Sequence, residues 1–217
     1  MSRTLNFDRL ARPYRWLEYA TFGHALQRCR FHYLSALTNS RRALVFGDGD
    51  GRFLAQLLAV NLHLQADVVD ISPVMLRTLN QRLPSEARER VTLYQTDARS
   101  FIPPAHTYDL VVTHFFLDCL FDSQIAALID RARMQLEPEA LWVVSEFAIP
   151  RGRIAASAGK LIVSGLYEAF GWITGLTVRT LPDHATQLRN AGFVLSQEKR
   201  WLRGLLLSQL WQHSSRG

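Results

Sequence analysis

The stretch Arg42-Ala-Leu-Val-Phe-Gly-Asp-Gly-Asp-Gly-Arg52 decides how this chain is read. A short apolar run, Ala43 to Phe46, leads into three glycines at alternate positions, Gly47, Gly49 and Gly51. An amphipathic run, Phe53-Leu54-Ala55-Gln56-Leu57-Leu58, follows at once. The pattern is that of a buried strand, a tight turn and a helix. Glycines at such a turn let the backbone take positive φ and let a ligand approach it closely.

Working outward, the same unit recurs. A first strand over Ala43 to Phe46 and a helix to Asn61 are followed by a strand from Ala66 to Ile71. Ser72 and Pro73 then start a helix through Leu83, with serine at the N-cap and proline at the first helical position. Further strands are expected over Val91 to Gln95, Tyr108 to His114 and Ala140 to Glu146, with a helix from Asp122 to about Leu136 between the last two. Strands alternating with helices predict βαβ units and a parallel sheet. After Pro182 a short helix ends at Gly192. Phe193 to Trp201 and Leu205 to Gln212 then read as a hairpin around Arg203-Gly204, the competing reading being an amphipathic helix on a membrane. The expected fold is α/β: a Rossmann-like, doubly wound, seven-stranded and mostly parallel sheet with one antiparallel strand.

Before this core, residues 5 to 38 carry apolar residues at helical spacing, broken at Pro13 and Gly23. The chain is expected to form a single domain over residues 1–217, made of a helical N-terminal extension or lid (1–40), a cofactor-binding core (41–150), a helical insertion (151–181) and a terminal helix with its hairpin (182–217). A length of 217 residues suits one domain with a sizeable core.

Composition narrows the classes. With 48% apolar and 20% charged residues the chain has the make-up of a globular domain. No apolar run approaches the roughly 18 residues that span a bilayer, and the opening Met-Ser-Arg-Thr-Leu-Asn-Phe-Asp lacks the apolar core of a secretion signal. Two cysteines, Cys29 and Cys119, form neither a disulfide framework nor a metal spacing, and both are expected reduced and buried in a cytoplasmic protein. The net charge of +6 is arginine-rich and dispersed, unlike the stripe or tail of a nucleic-acid binder. It suits a basic surface with some attraction to an anionic membrane face.

In an open α/β sheet the ligand sits at the carboxyl ends of the strands. There the sequence places Gly47-Asp48-Gly49, Asp70, Asp97, His114 with Phe115, and Glu146. Asp70 follows the turn by about 20 residues, the spacing of an acidic residue that accepts hydrogen bonds from both ribose hydroxyls. Asp97 would accept from an exocyclic amine such as that of adenine, the alternative being an Asx turn in a loop. The third glycine comes one residue too early for a dinucleotide fingerprint, and no P-loop is present. Asp48 and Asp50 inside the turn make a poor environment for phosphate and a good one for a cation. S-adenosyl-L-methionine, with its sulfonium and ammonium, suits such a turn.

These residues resemble a class I S-adenosylmethionine-dependent methyltransferase, and within that class the methyltransferases of ubiquinone and menaquinone biosynthesis. Phe7-Asp-Arg-Leu-Ala11-x-x-Tyr14 and Phe22-Gly23 are similar to that family's opening segment. Gly47-x-Gly49-x-Gly51 resembles its first motif, Asp70-Ile-Ser-x-x-Met75-Leu76 its second, and Asp97-Ala98 and Tyr108-Asp109-Leu-Val-Val the next two. Glu146-Phe147-x-x-Pro150 and Pro182-Asp183-x-x-x-x-Leu188-x-x-Ala191-Gly192-Phe193 resemble the late segments. The resemblance implies cofactor contacts from the turn (Gly47, Asp48, Gly49, Gly51), from Asp70, Ile71 and Met75, from Asp97 and Ala98, and from Tyr14 and His114. Two departures stand out. Val45 occupies the position where the family carries an acid that helps hold the methionine end, and Asp48 or Asp50 is expected to substitute. The stretch Thr113 to Cys119 is closer to the general small-molecule branch.

The function expected is methyl transfer from S-adenosylmethionine to a small, lipophilic or aromatic acceptor of the quinone or phenol kind. His114 is the expected catalytic base, because imidazole titrates near neutrality; Asp118, His24, Tyr14 and His184 are the other candidates. The apolar segment from Ile154 to Trp172, with the aromatic N-terminal helices, would cover the acceptor. Competing readings are a nucleic-acid methyltransferase, for which the Asn/Asp-Pro-Pro-aromatic motif is missing, and a protein that binds the cofactor without catalysis.

Overall fold

The computed structural model describes residues 24–105, 107–150, 165 and 180–214. Its helices are α1 (Ala25–Phe31), α2 (Arg52–Val60), α3 (Pro73–Arg82), α4 (Ser85–Arg88), α5 (Asp122–Arg133) and α6 (His184–Asn190). Its strands are β1 (Arg42–Phe46), β2 (Gln65–Asp70), β3 (Val91–Gln95), β4 (Tyr108–His114), β5 (Leu136–Phe147), β6 (Phe193–Trp201) and β7 (Leu206–His213).

All seven strands join one sheet in the order β3-β2-β1-β4-β5-β7-β6. The first five run parallel, and β7 lies antiparallel to both β5 and β6. The chain builds outward from β1 through β2 to β3, then returns to the other side of β1 with β4. The strand order therefore reverses between β1 and β4. That switch point opens a crevice at the carboxyl ends of these two strands.

Period-two alternation sorts the strand residues onto two faces. Ala43 and Val45 of β1, with Val112 of β4 and Val143 of β5, pack beneath Phe53, Leu57, Leu76 and Leu79 of α2 and α3. Leu44 and Phe46, with Val111, Trp142 and Val144, pack against Ile125, Leu128 and Ile129 of α5 and Leu188 of α6. Trp142 and Trp211 pair across β5 and β7 and are both fully buried. Truncating a buried tryptophan of this kind costs about 3–5 kcal/mol.

Most expected elements are present within one or two residues. Ser72 caps α3 by accepting a hydrogen bond from the Met75 N–H at 3.2 Å. The hairpin prevails over the amphipathic helix at the C-terminal end, since β6 and β7 are zipped from Phe193↔His213 to Trp201↔Leu206. Three details differ. β5 begins at Leu136 rather than Ala140: Leu136 already pairs with Tyr108, and an irregularity between Tyr108 and Leu110 absorbs the extra length, with Glu139 at φ 63°. The polar run Glu137-Pro138-Glu139 hides this start in the sequence. α1 stops at Phe31 and gives way to a 3-10 turn, Leu34–Leu37, rather than continuing to residue 38. Cys29 is buried as expected, whereas Cys119 is half-buried; both are free thiols.

Helix positions 5–22, Tyr14 and the apolar segment 154–172, apart from Gly165, lie outside the described residues. Among the described residues no helix is long and apolar enough to cross a membrane.

Candidate cofactor site

The glycine turn sits at the switch point. Gly47, Gly49 and Gly51 have φ of 64°, 60° and 75°, the left-handed region that disfavours any side chain. Space supplies a second reason at two of them. A Cβ on Gly47 would collide with the ring of Phe116, and one on Gly51 would lie 2.6 Å from Leu79 Cγ and 2.9 Å from Leu79 Cα. At Gly49, by contrast, no described residue lies within 4 Å of where a Cβ would stand. The turn is held from below by Gly47 N–H donating to the Val69 carbonyl at 3.0 Å and Gly51 N–H to the Asp48 carbonyl at 3.2 Å.

The two aspartates of the turn part company. Asp50 accepts from Arg52 Nε at 2.8 Å and Arg82 NH2 at 2.9 Å, while its carbonyl accepts from Arg82 Nε at 2.7 Å. It is a structural clamp between the turn and α3. Asp48 has one partner among the described residues, the Leu54 N–H in the first turn of α2, at 3.1 Å. Burial pushes its carboxyl up to about 7, helped by the like charges of Asp50 and Asp70 and opposed by the Leu54 N–H and the positive charge of Arg30. Of the two residues expected to compensate for Val45, Asp50 has its charge matched by two guanidiniums at Oδ2, whereas Asp48 Oδ2 accepts only from the Leu54 N–H among the described residues.

Asp70 closes β2, where its Oδ1 accepts from the Ser72 N–H at 2.8 Å. Ile71 beside it is 36% exposed, an apolar side chain left at a strand end where a flat base could cover it. Met75, on the first turn of α3, is half-buried. Asp97 follows β3, but its oxygens accept from Arg99 Nε and NH2 and from the Arg99 N–H at 2.5–3.0 Å. The guanidinium holds this carboxyl below its usual range. Asp97 thus makes the Asx turn given as the alternative, and it meets an adenine amine only if Arg99 swings aside. Ala98 is buried behind it, its carbonyl accepting from Arg131 NH2 at 3.2 Å.

His114 ends β4 and is only 4% exposed, packed edge-on against Phe53 with centroids 4.3 Å apart. Neither ring nitrogen has a hydrogen-bond partner among the described residues. Burial, with the charge of Arg30, depresses its pKa to about 3, so the imidazole is neutral at physiological pH and a weak base.

Two features gain a definite role only from the tertiary structure. Glu146, 1% exposed at the end of β5, accepts from the Phe116 and Leu117 N–H groups at 3.1 and 2.8 Å and so fixes the 3-10 turn Leu117–Cys119 beneath the crevice. Burial and the neighbouring Asp118 push its carboxyl well up, and Asp118 itself is raised to about 6 by burial. The other is Arg30 of α1, one of many dispersed arginines in the sequence, whose guanidinium lies 5.1 Å over the Phe115 ring.

The bare glycine, the acidic turn, the carboxylate at the end of β2 and the unpartnered imidazole fit a ligand with a nucleoside and a cationic amino-acid end. They lie at the switch point of an open α/β sheet, where such folds take their ligands. Residues 44–141, from β1 into β5, match the family model described as a methyltransferase domain. Over those residues the chain is similar to a methyltransferase domain, and S-adenosylmethionine would be the methyl donor it takes. Comparison with curated protein sequences finds no match. Solved structures give the same fold. The N-methyltransferase NodS from Bradyrhizobium japonicum superimposes with a TM-score of 0.59 at 18% identity over 88% of this chain and 97% of that one, and it has also been solved with S-adenosyl-L-homocysteine. Mitomycin 7-O-methyltransferase gives 0.68 at 17% identity over 96% of this chain, and human N-acetylserotonin methyltransferase in complex with the cofactor gives 0.61 at 18% over 94%. The chain spans 61% and 60% of those two larger proteins. At such identities the likeness is one of fold.

Proposed function

We propose that this protein transfers the methyl group, in the cytoplasm, to a small lipophilic or aromatic acceptor of the quinone or phenol kind. The observation that carries this reading is the aromatic wall beside the cofactor crevice. Phe115 and Phe147 end the neighbouring strands β4 and β5, both half-buried, with ring centroids 5.2 Å apart. Phe115 is held at φ 52°, a conformation that costs a bulky residue on the order of 1 kcal/mol and that clusters at functional sites. Flat apolar groups at this place suit a flat apolar acceptor. The names of the solved relatives, an N-methyltransferase, a mitomycin 7-O-methyltransferase and an N-acetylserotonin methyltransferase, support a small acceptor over a nucleic acid.

The bound cofactor would supply a methyl group activated on a sulfonium. The chain's own residues do the rest. Asp70 and the bare turn at Gly49 would hold the nucleoside, with Ile71 and Met75 along the base and Asp97 and Ala98 at its edge. The aromatic wall aligns the acceptor and excludes water. His114, neutral in this setting, offers one hydrogen bond rather than strong base catalysis. A phenol that arrives ionised needs no base, and Asp118, with its raised pKa of about 6, is the nearest alternative proton acceptor in character. The hairpin tip, where Leu202 is 43% exposed beside Arg203, lies on the same edge of the sheet and supports peripheral contact with a membrane that holds such acceptors.

Labelled S-adenosylmethionine incubated with hydroquinones, phenols, RNA and DNA tests the reading. Methyl incorporation into a hydroquinone or phenol is expected. Incorporation confined to nucleic acid overturns it.

A further inference from the structure

The turn lacks the acid usual at Val45, yet the methionine end of the cofactor is a zwitterion that needs an acceptor for its ammonium and a donor for its carboxylate. Three groups from three elements lie near one another: Asp48 is bonded to Leu54, His114 is packed on the adjacent Phe53, and the charge of Arg30 reaches both. Asp48 comes from the turn, and among the described residues its one partner is the Leu54 N–H. His114 comes from the end of β4, buried, with neither ring nitrogen partnered among the described residues. Arg30 comes from α1. Its guanidinium lies 5.1 Å over the Phe115 ring, one residue beyond His114, and its charge is felt at both Asp48 and His114.

We propose that Arg30, Asp48 and His114 together form the cradle for the amino-acid end of S-adenosylmethionine, Arg30 pairing with the carboxylate, Asp48 with the ammonium, and His114 donating a hydrogen bond to the carboxylate. The proposal rests on the cofactor assignment above and goes beyond it in naming the residues that read the zwitterion.

Several features of the molecule agree. A buried neutral imidazole with no partner forfeits its hydrogen bonds, a cost that a bound ligand recovers. Asp50 already has its charge matched by Arg52 and Arg82, both at Oδ2. A guanidinium presents a planar fork that matches a carboxylate, and a point in a cleft shielded from water strengthens that pairing. α1 is anchored for the purpose: the Cys29 carbonyl accepts from Ser208 Oγ at 2.6 Å and from Ser145 Oγ at 3.4 Å, which pins the helix to β7 and β5 and sets the position of the next residue, Arg30.

Binding measurements separate this cradle from the rest of the site, because two ligands share the nucleoside and differ at the other end. S-adenosylhomocysteine carries the zwitterion; 5′-methylthioadenosine does not. By titration calorimetry, Arg30→Ala and Asp48→Asn are each expected to weaken S-adenosylhomocysteine tenfold or more while leaving 5′-methylthioadenosine within twofold of wild type. The unchanged thioadenosine affinity also reports an intact fold. Arg30→Gln, which keeps the side-chain stem, is measured alongside in case Arg30→Ala does not fold. Equal weakening of both ligands in a folded variant, or no weakening of S-adenosylhomocysteine, overturns the cradle. Wild type binding neither ligand overturns the cofactor assignment itself, a separate outcome.

Discussion

Asp48 and Asp50 stand two residues apart on either side of Gly49, yet the fold uses them in opposite ways. Asp50 turns to α3 and is satisfied by Arg52 and Arg82. Asp48 turns to the crevice, with the Leu54 N–H for support and the charges of Asp50 and Asp70 beside it. A carboxylate with cations against it stabilises; one among like charges in a desolvated cleft is held at a cost that a cationic ligand removes. The difference teaches that the same residue type in one turn can be scaffold or site, depending on which arginines the fold brings to it.

The largest effect should come from breaking the turn that separates the two. Gly51→Ala puts a side chain at φ 75° and against the Leu79 backbone, so α3 must move. A loss of about 3 kcal/mol is expected, read as a lowered denaturation midpoint. A wild-type midpoint would mean that the turn tolerates the shift and that Gly51 does not set the direction of the aspartates.

Next in size is the titration of Asp48. Its folded pKa of about 7 lies above that of a free carboxyl, so the folded state binds the extra proton between roughly pH 4 and 7. Stability of the cofactor-free protein from this group therefore falls as pH rises through that window and levels off above it. Arg30, Asp50, Asp70 and the Leu54 N–H are the groups that face it. Asp48→Asn should remove this component, so the melting temperature of the variant relative to wild type should climb from pH 5 to pH 8. A difference that stays flat with pH would place the Asp48 titration elsewhere. Cofactor binding should act in the reverse sense, strengthening toward pH 8 and releasing a proton near pH 7, visible as a buffer-dependent calorimetric enthalpy.

The smallest effect belongs to the clamp. Asp50→Ala removes part-exposed ion pairs worth about 1 kcal/mol together and should leave S-adenosylhomocysteine affinity unchanged. A large loss of affinity would erase the distinction between the two aspartates.

Much of the fold was legible because its signals are local. Apolar runs ending in glycine, Ser72-Pro73 before a helix, and two β-rich runs around Gly204 each carry their own punctuation. The start of β5 was not, since it depends on Tyr108 finding Leu136 across a bulge. The site was half legible. Gly47, Gly49, Gly51 and Asp70 announce themselves by spacing, whereas Asp97 looks the same in sequence whether or not Arg99 occupies it. Residue type alone does not separate Asp70, at the end of its strand, from Asp67, which is buried within the strand and accepts from Tyr108 Oη at 2.6 Å. His114 is a candidate base by its strand-end position and residue type, and its burial, which lowers its pKa, is invisible in the sequence.

The sequence by itself determined the order of strands and helices, the conformations demanded at the glycine turn and the acidic character of the cleft, because periodicity, backbone sterics and formal charge are properties of neighbouring residues. The tertiary structure decided which aspartate is ion-paired, which of many arginines acts on Asp48 and His114, and how deeply His114 is buried. Those outcomes follow from burial and from contacts between residues far apart in the chain, such as α1 with β7, and no local pattern encodes them.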